Sequence, residues 1–125
     1  MSTKTEQKTF NCSLRVPAAD VDKVDTILIR HQAWMRATHS LSDDAGLVHL
    51  VDYHVVKSNE LQDIVDPSQG TTGSVIYFVN ETYVYSNGPS QHMEQAMKWD
   101  GVGEFIEMVK TYGVASCWGE VLLTY

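Results

Sequence analysis

The spacing of apolar residues along this chain changes from two to between three and four and back again, and it does so twice. "KTFNCSLRV", residues 8–16, alternates: Phe10, Cys12, Leu14 and Val16 fall on one face, Thr9, Asn11, Ser13 and Arg15 on the other. A period of two is that of a strand with one face buried. From Ala18 to about Ser40 the step lengthens, and Val21, Val24, Leu28, His31 and Met35 form one stripe of an amphipathic helix. Pro17 suits the first turn of that helix, and Asp20, Asp22 and Asp25 lie at the end where the helix dipole favours acids. "SLSDDAG", 40–46, breaks it.

The second cycle follows. "LVHLVDYHVVK", 47–57, is strand-like and apolar on both faces apart from His49, Asp52 and His54. "NELQDIV" predicts a short helical turn capped by Asn59, with Gln62 three residues on, and "DPSQGTTG" is turn chemistry. "SVIYFVNETYV", 74–84, is rich in β-branched and aromatic residues and predicts a third strand. After "SNG", Pro89 opens a helix lined by Met93, Ala96 and Met97, which "WDG" interrupts. Val102, Phe105, Ile106, Val109 and Tyr112 form a further helical stripe, with Gly113 in the position of a C-cap. "VASCWGEVLLTY", 114–125, is the last strand.

The order β-α-β-β-α-β predicts an α+β, ferredoxin-like domain spanning residues 1–125, with residues 1–7 flexible. Four antiparallel strands carry helices on one face. The other face is also apolar and needs a cover. A single chain of 125 residues has nothing left to supply one, so the expectation is a homodimer joined through its sheet faces.

Composition narrows the function. A formal net charge of -7 repels a phosphate backbone, which argues against nucleic acid as a partner. No apolar run reaches the roughly 20 residues that span a bilayer, and "MSTKTEQKTF" lacks the apolar core of a signal peptide. The expectation is a cytoplasmic protein with no membrane partner. Cys12 and Cys117 form no CxxC pair and are expected to be reduced packing thiols. G-x-S-x-G, the P-loop and G-x-G-x-x-G are all missing from the sequence.

Five histidines carry the remaining chemistry: His31, His39, His49, His54 and His92. Imidazole exchanges protons near neutral pH and is the natural base for a phenol or an activated carbon. His31 sits inside an apolar stripe, where a core histidine bonded to a carbonyl is the plainer reading. His39 fits an exposed last turn of the first helix. His54 shares a strand face with Asp52 and Val56 and meets Glu81 if that face lines a cavity. HExxH is missing, so no metal ligand is assigned, although a carboxylate-histidine cluster assembled in three dimensions stays open. Trp34, Trp99, Trp118, Tyr77 and Tyr83 can stack on a planar ligand or simply pack a core.

The stretch "VIYFVNETYVYSNGPSQHMEQA" gives the chain its resemblance. A strand ending in Glu81 and Tyr83 leads into a helix that carries His92, and Phe105 follows in the next helical half. This resembles the dimeric α+β barrel superfamily: antibiotic-biosynthesis-monooxygenase-like, stress-responsive barrel and EthD-like domains. The resemblance covers about residues 8–125. It implies a dimeric barrel with His92 beside a cleft. It also implies functions ranging over cofactor-free oxidation or cyclisation of aromatics, isomerisation, haem cleavage and plain ligand binding. Two departures are the long 58–73 connection and the His- and Trp-rich "HQAWMRATH".

The first expectation is therefore a small-molecule enzyme of the monooxygenase or cyclase kind, without cofactor, acting on an apolar or aromatic substrate. His92 or His31 is the base, Glu81 orients it, and His39, His54, Trp34, Tyr83 and Phe105 hold the substrate. The second is a non-catalytic ligand-binding or structural homodimer. A haem-degrading protein comes third, with Asn11 and His92 as its candidates.

Overall fold

The computed structural model describes residues 6–124 of the chain. Its strands are β1 (Lys8–Pro17), β2 (His39–Ser40), β3 (Val48–Leu61), β4 (Thr71–Tyr83) and β5 (Gly113–Glu120). Its helices are α1 (Val21–Thr38), α2 (Gly88–Ala96) and α3 (Val102–Tyr112). The sheet order is β2-β3-β4-β1-β5. Without β2 this is the ferredoxin-like arrangement expected from the sequence, with every pair antiparallel. The sheet has five strands and is mixed, because the two-residue β2 pairs parallel with β3. It forms where the chain leaves α1 and runs extended past Val48.

The alternation of β1 sets the core. Cys12, Leu14 and Val16 point to the helices and pack with Val24, Ile27 and Leu28 of α1, Tyr77 and Val79 of β4, and Met108 of α3. Burying each such aliphatic side chain contributes about 1.5–3 kcal/mol. A second cluster of Met35, Val48, Leu50 and Tyr83 fills the other end of α1, with Phe10, Trp34 and Tyr53 against it. His31 lies on α1 between Leu28 and Met35, at the junction of the two clusters.

Several expectations need correction. Residues 59–61 form no capped helical turn. Asn59 pairs with Val75 and Leu61 with Thr71, so β3 and β4 make one long hairpin arm. Polar groups at its rim hold it: Arg15 Nε lies 2.8 Å from Glu60 Oε2, and Thr72 donates to Glu60 Oε1. A single 3-10 turn, Pro67–Gln69, sits in the connection, with Asp66 accepting from the Ser68 amide. Pro17 ends β1, and a 3-10 turn over Ala18–Asp20 precedes α1. Gly113 is extended, with φ -63° and ψ 136°, and begins β5 rather than closing a left-handed cap. Glycine is needed there for space, because a Cβ would stand 2.4 Å from the Val109 carbonyl oxygen. In α3 Met108 is the deeply buried residue, while Ile106 is exposed. Most of the segment expected to be flexible, residues 1–5, lies outside the described residues. Gln7 is tied down, its carbonyl accepting from the Val121 amide at 3.3 Å.

The face of the sheet away from the helices carries Phe78, Val56 and Ile76 among Asn11, Ser13, Asn80, Asp52 and His54. In the protomer Phe78 is 50% and Val56 49% exposed.

Candidate functional site

Cross-strand register builds the floor of the site. Glu81 on β4 pairs with Tyr53 on one side and Phe10 on the other, and Phe10 pairs with Trp118. Directly paired residues share a face. One row, Tyr53–Glu81–Phe10–Trp118, therefore faces the helices. His31 descends onto this row from α1 and His92 from α2. The turn after β4 is tight enough to bring α2 in because Gly88 lies flat on Tyr83, where a Cβ would come within 2.4 Å of the Tyr83 Cβ.

Glu81 is completely buried and is flanked by the two imidazoles. His31 Nε2 lies 4.0 Å from Glu81 Oε2, and His92 Nδ1 lies 3.6 Å from Glu81 Oε1. The Tyr83 hydroxyl donates to Glu81 Oε1 at 2.5 Å. Glu81 Oε2 is buried and accepts no hydrogen bond. Each ring also meets an orienting group, on the far nitrogen of His31 and on the same nitrogen of His92 that faces Glu81. Tyr53 Oη meets His31 Nδ1 at 2.9 Å, and His39 Nε2 meets His92 Nδ1 at 3.0 Å. The Thr38 hydroxyl lies 2.7 Å from His39 Nδ1 and donates to the Trp34 carbonyl.

Burial governs the charge state of this cluster. It pushes the Glu81 carboxyl up to about 8, against the pull of the Tyr83 hydrogen bond. Burial, then the neighbouring His39, lowers His31 to about 3. Burial followed by His39 and His31 does the same to His92, and burial takes His39 to about 4. Tyr53 and Tyr83 are raised, by burial first and Glu81 second. The Glu81–His distances are those of ion pairs. Burial nonetheless drives the carboxyl toward its protonated form and the imidazoles toward their neutral form, because no charge there is hydrated. Two chemistries remain available: a neutral imidazole can take a proton, and a set of nitrogen and oxygen lone pairs can bind a cation. Donor atoms of His31, Glu81 and His92 all lie within 4.8 Å of one another.

A cavity of about 170 Å³ opens beside these rings. His31 and His92 contribute to its wall; Phe10, Trp99, Phe105 and Trp118 make much of the rest. Phe105 stacks on His31 with ring centroids 4.5 Å apart. Trp34 stacks on Trp99 at 5.2 Å and meets His92 edge-on. Two larger, open grooves run along α1 and β3 and are rimmed by polar groups such as Asp25, Lys57 and Arg36. His39 reaches one of them.

The structure thus brings together His92, His31, Glu81, His39, Tyr83, Trp34 and Phe105. His54 does not join them. It pairs with Asn80, lies on the open face of the sheet, and bonds Asp52 at 2.5 Å. Its exclusion has a local cause. A register shift between Leu50 and Asp52 makes both Leu50 and Tyr53 face inward, which turns His54 out. His39 is not exposed in a last helical turn: it is buried in β2. His31 bonds a tyrosine hydroxyl rather than a backbone carbonyl. Asn11 faces the open side of the sheet with Cys117, opposite His92, so the two haem candidates share no cavity. Sequence reasoning did not select Tyr53, whose signal is only its parity on a bulged strand. Nor did it single out Trp99 within the aromatic set, and it placed Phe10 only on the inward face of β1.

Comparison with known proteins gives a fold. No family model and no curated protein matches the chain. Among solved structures it is similar to one titled "Putative antibiotic biosynthesis monooxygenase from Nitrosomonas europaea", with a TM-score of 0.53. The match covers 98% of this chain and 96% of that one at 10% sequence identity. The α+β fold is shared end to end. No helix among the described residues is long and apolar enough to cross a membrane.

Proposed function

We propose that the protein is a small-molecule enzyme of the monooxygenase or cyclase kind, taking an apolar or aromatic substrate into the cavity beside α3. One observation carries this reading. The two imidazoles in the wall of a mostly apolar cavity, which Lys110 also borders, are those that back onto the buried Glu81. Burying an ionisable group without a charged partner is costly. A cluster of three histidines and a glutamate in one core fits a reacting centre better than a packing solution. In the metal-free protein a neutral His92 or His31 accepts a proton from a phenol or an activated carbon. Glu81 and His39 hold the His92 ring, and Phe105, Trp99 and Phe10 press on the planar substrate. The name of the similar structure agrees with this class of activity.

We also propose that the active form is a homodimer, with Phe78, Val56 and Ile76 at the sheet-to-sheet contact. Its two unpaired thiols, Cys12 and Cys117, suit a reducing compartment such as the cytoplasm. The second reading, a non-catalytic ligand-binding dimer, uses the same cavity. A panel of planar phenols separates the two. Binding is followed by tryptophan fluorescence, and turnover by oxygen uptake and product analysis, for wild type, His92→Gln and His31→Gln. Turnover lost in either variant with binding retained supports the enzyme. Binding without turnover in wild type supports the second reading.

A further inference from the structure

We propose that His31, Glu81 and His92 together form a binding site for one divalent first-row transition-metal ion. The inference rests on the reading that this cluster is the reactive part of the site, and it names the cofactor class that the cluster would take.

The observation behind it is an orphan. Glu81 Oε2 is fully buried, points toward His31 Nε2 from 4.0 Å, and makes no hydrogen bond. A buried polar atom without a partner is rare and calls for an explanation. Among the described residues the ion-pair partners of Glu81 are His31 and His92, with no lysine or arginine. A cation between the donors would satisfy the orphaned oxygen and make the carboxylate's charge favourable in this apolar place.

The donor set and its spacing fit. Two imidazole nitrogens and one carboxylate suit zinc, iron(II), cobalt(II) or manganese(II), and form the set used for open iron(II) sites. Ligands at about 2.1 Å from one ion stand roughly 3–4 Å from each other. The 4.0 Å from His31 Nε2 to the orphaned Oε2 and the 3.6 Å from His92 Nδ1 to Oε1, which also accepts from Tyr83, fall in that range, and the donors of all three residues lie within 4.8 Å of one another. Metal-binding histidines are usually steered by a group on the other ring nitrogen. His31 has such a group in Tyr53, at Nδ1. His39 Nε2 lies 3.0 Å from His92 Nδ1, the same nitrogen that stands 3.6 Å from Glu81 Oε1, so an ion held by that nitrogen would take the place of the His39–His92 hydrogen bond. Three donors are one fewer than a closed tetrahedral site takes, so an ion bound here keeps a position for a small molecule. When the ion binds, the carboxyl proton is released and the two imidazoles serve as ligands instead of bases.

The test uses the full chain stripped with a chelator and titrated with Co²⁺, followed by visible d–d absorption and calorimetry. Wild type is expected to bind one ion per chain, with nitrogen-oxygen spectral features. Glu81→Gln preserves shape and the Tyr83 contact, and is expected to abolish the bands while the circular dichroism stays native. Tyr53→Phe, which removes only the steering group, is expected to weaken binding about tenfold. Folded wild type that binds no Co²⁺, or binds it as well as Glu81→Gln does, overturns the proposal. A planar phenol titrated into the metal-free protein keeps the two readings apart. If it binds while Co²⁺ does not, only the metal site falls. If Co²⁺ binds while the phenol does not, only the apolar-substrate reading falls.

Discussion

Glu81 Oε1 accepts a hydrogen bond from Tyr83 two residues along the same strand, while Oε2 of the same carboxyl faces His31 and accepts none. One half of the group is built into the fold, and the other half is left over.

Tyr83→Phe removes the donor and leaves Glu81 Oε1 buried without its partner. Such a loss costs about 1–3 kcal/mol. Urea denaturation of the variant should show a lower midpoint with an unchanged m-value. A midpoint equal to wild type would mean that the hydroxyl contributes nothing to the fold.

The pH dependence of stability in the presence of chelator should peak near the middle of the range. His31, His39 and His92 are held below their ordinary value, so the folded state resists protonation. The stability they contribute is complete above about 6.5 and is lost as pH falls toward 3–4. Glu81 is raised to about 8, so its contribution is complete below its ordinary value near 4.5 and is lost as pH climbs through 8. Melting temperatures from pH 4 to 9 should rise and then fall. In Glu81→Gln the alkaline fall should flatten. A fall identical in the two proteins would remove Glu81 as its cause.

Gly88→Ala should be severe, because Gly88 is buried at the start of α2. The new methyl would meet the Tyr83 side chain at 2.4 Å, and Tyr83 is itself fully buried against Met35, Val48 and Leu50. Overpacking of this kind costs about 1–3 kcal/mol. Gly46→Ala supplies the contrast: nothing stands within 4 Å of its Cβ, and only its positive φ of 82° opposes the change. The thermal shift of Gly88→Ala should exceed that of Gly46→Ala. The reverse order would show that α2 moves away without penalty.

The two thiols should differ in reactivity. Cys12 is buried and its thiol is pushed up to about 11, by burial first and Glu81 second, so very little thiolate forms at neutral pH. Cys117 is exposed in the protomer on the open sheet face. Where the protein is held as folded protomers, a thiol reagent should label Cys117 before unfolding and Cys12 only on unfolding. Two equally fast thiols would contradict the packing of β1.

Phe78→Glu tests the proposed dimer. A charge in the middle of the open face should drive the protein to monomer in sedimentation while leaving the helical face, and so the spectrum of the fold, unchanged. Dimers that persist at low concentration would move the interface elsewhere.

Element order and the inward face of β1 were legible before any contact was known. Alternation in "KTFNCSLRV" and the helical stripe through His31 follow from two- and 3.6-residue periods, which need no tertiary contact to be read. The sequence also brought Glu81, Tyr83, His31 and His92 into view as chemistry-bearing residues. What only the folded molecule decided was which of them meet. On an unbulged strand Val48, Leu50, Asp52 and His54 would share one face. The shift at Val51 reverses that parity, bringing Tyr53 to His31 and sending His54 to the open side. Likewise His39 looks like the exposed end of a helix until the chain turns extended and buries it against His92. One residue of register moves every later side chain across the sheet. Bulges and helix ends are set by what packs on them, so the local pattern could name the residues of this site but could not assemble it.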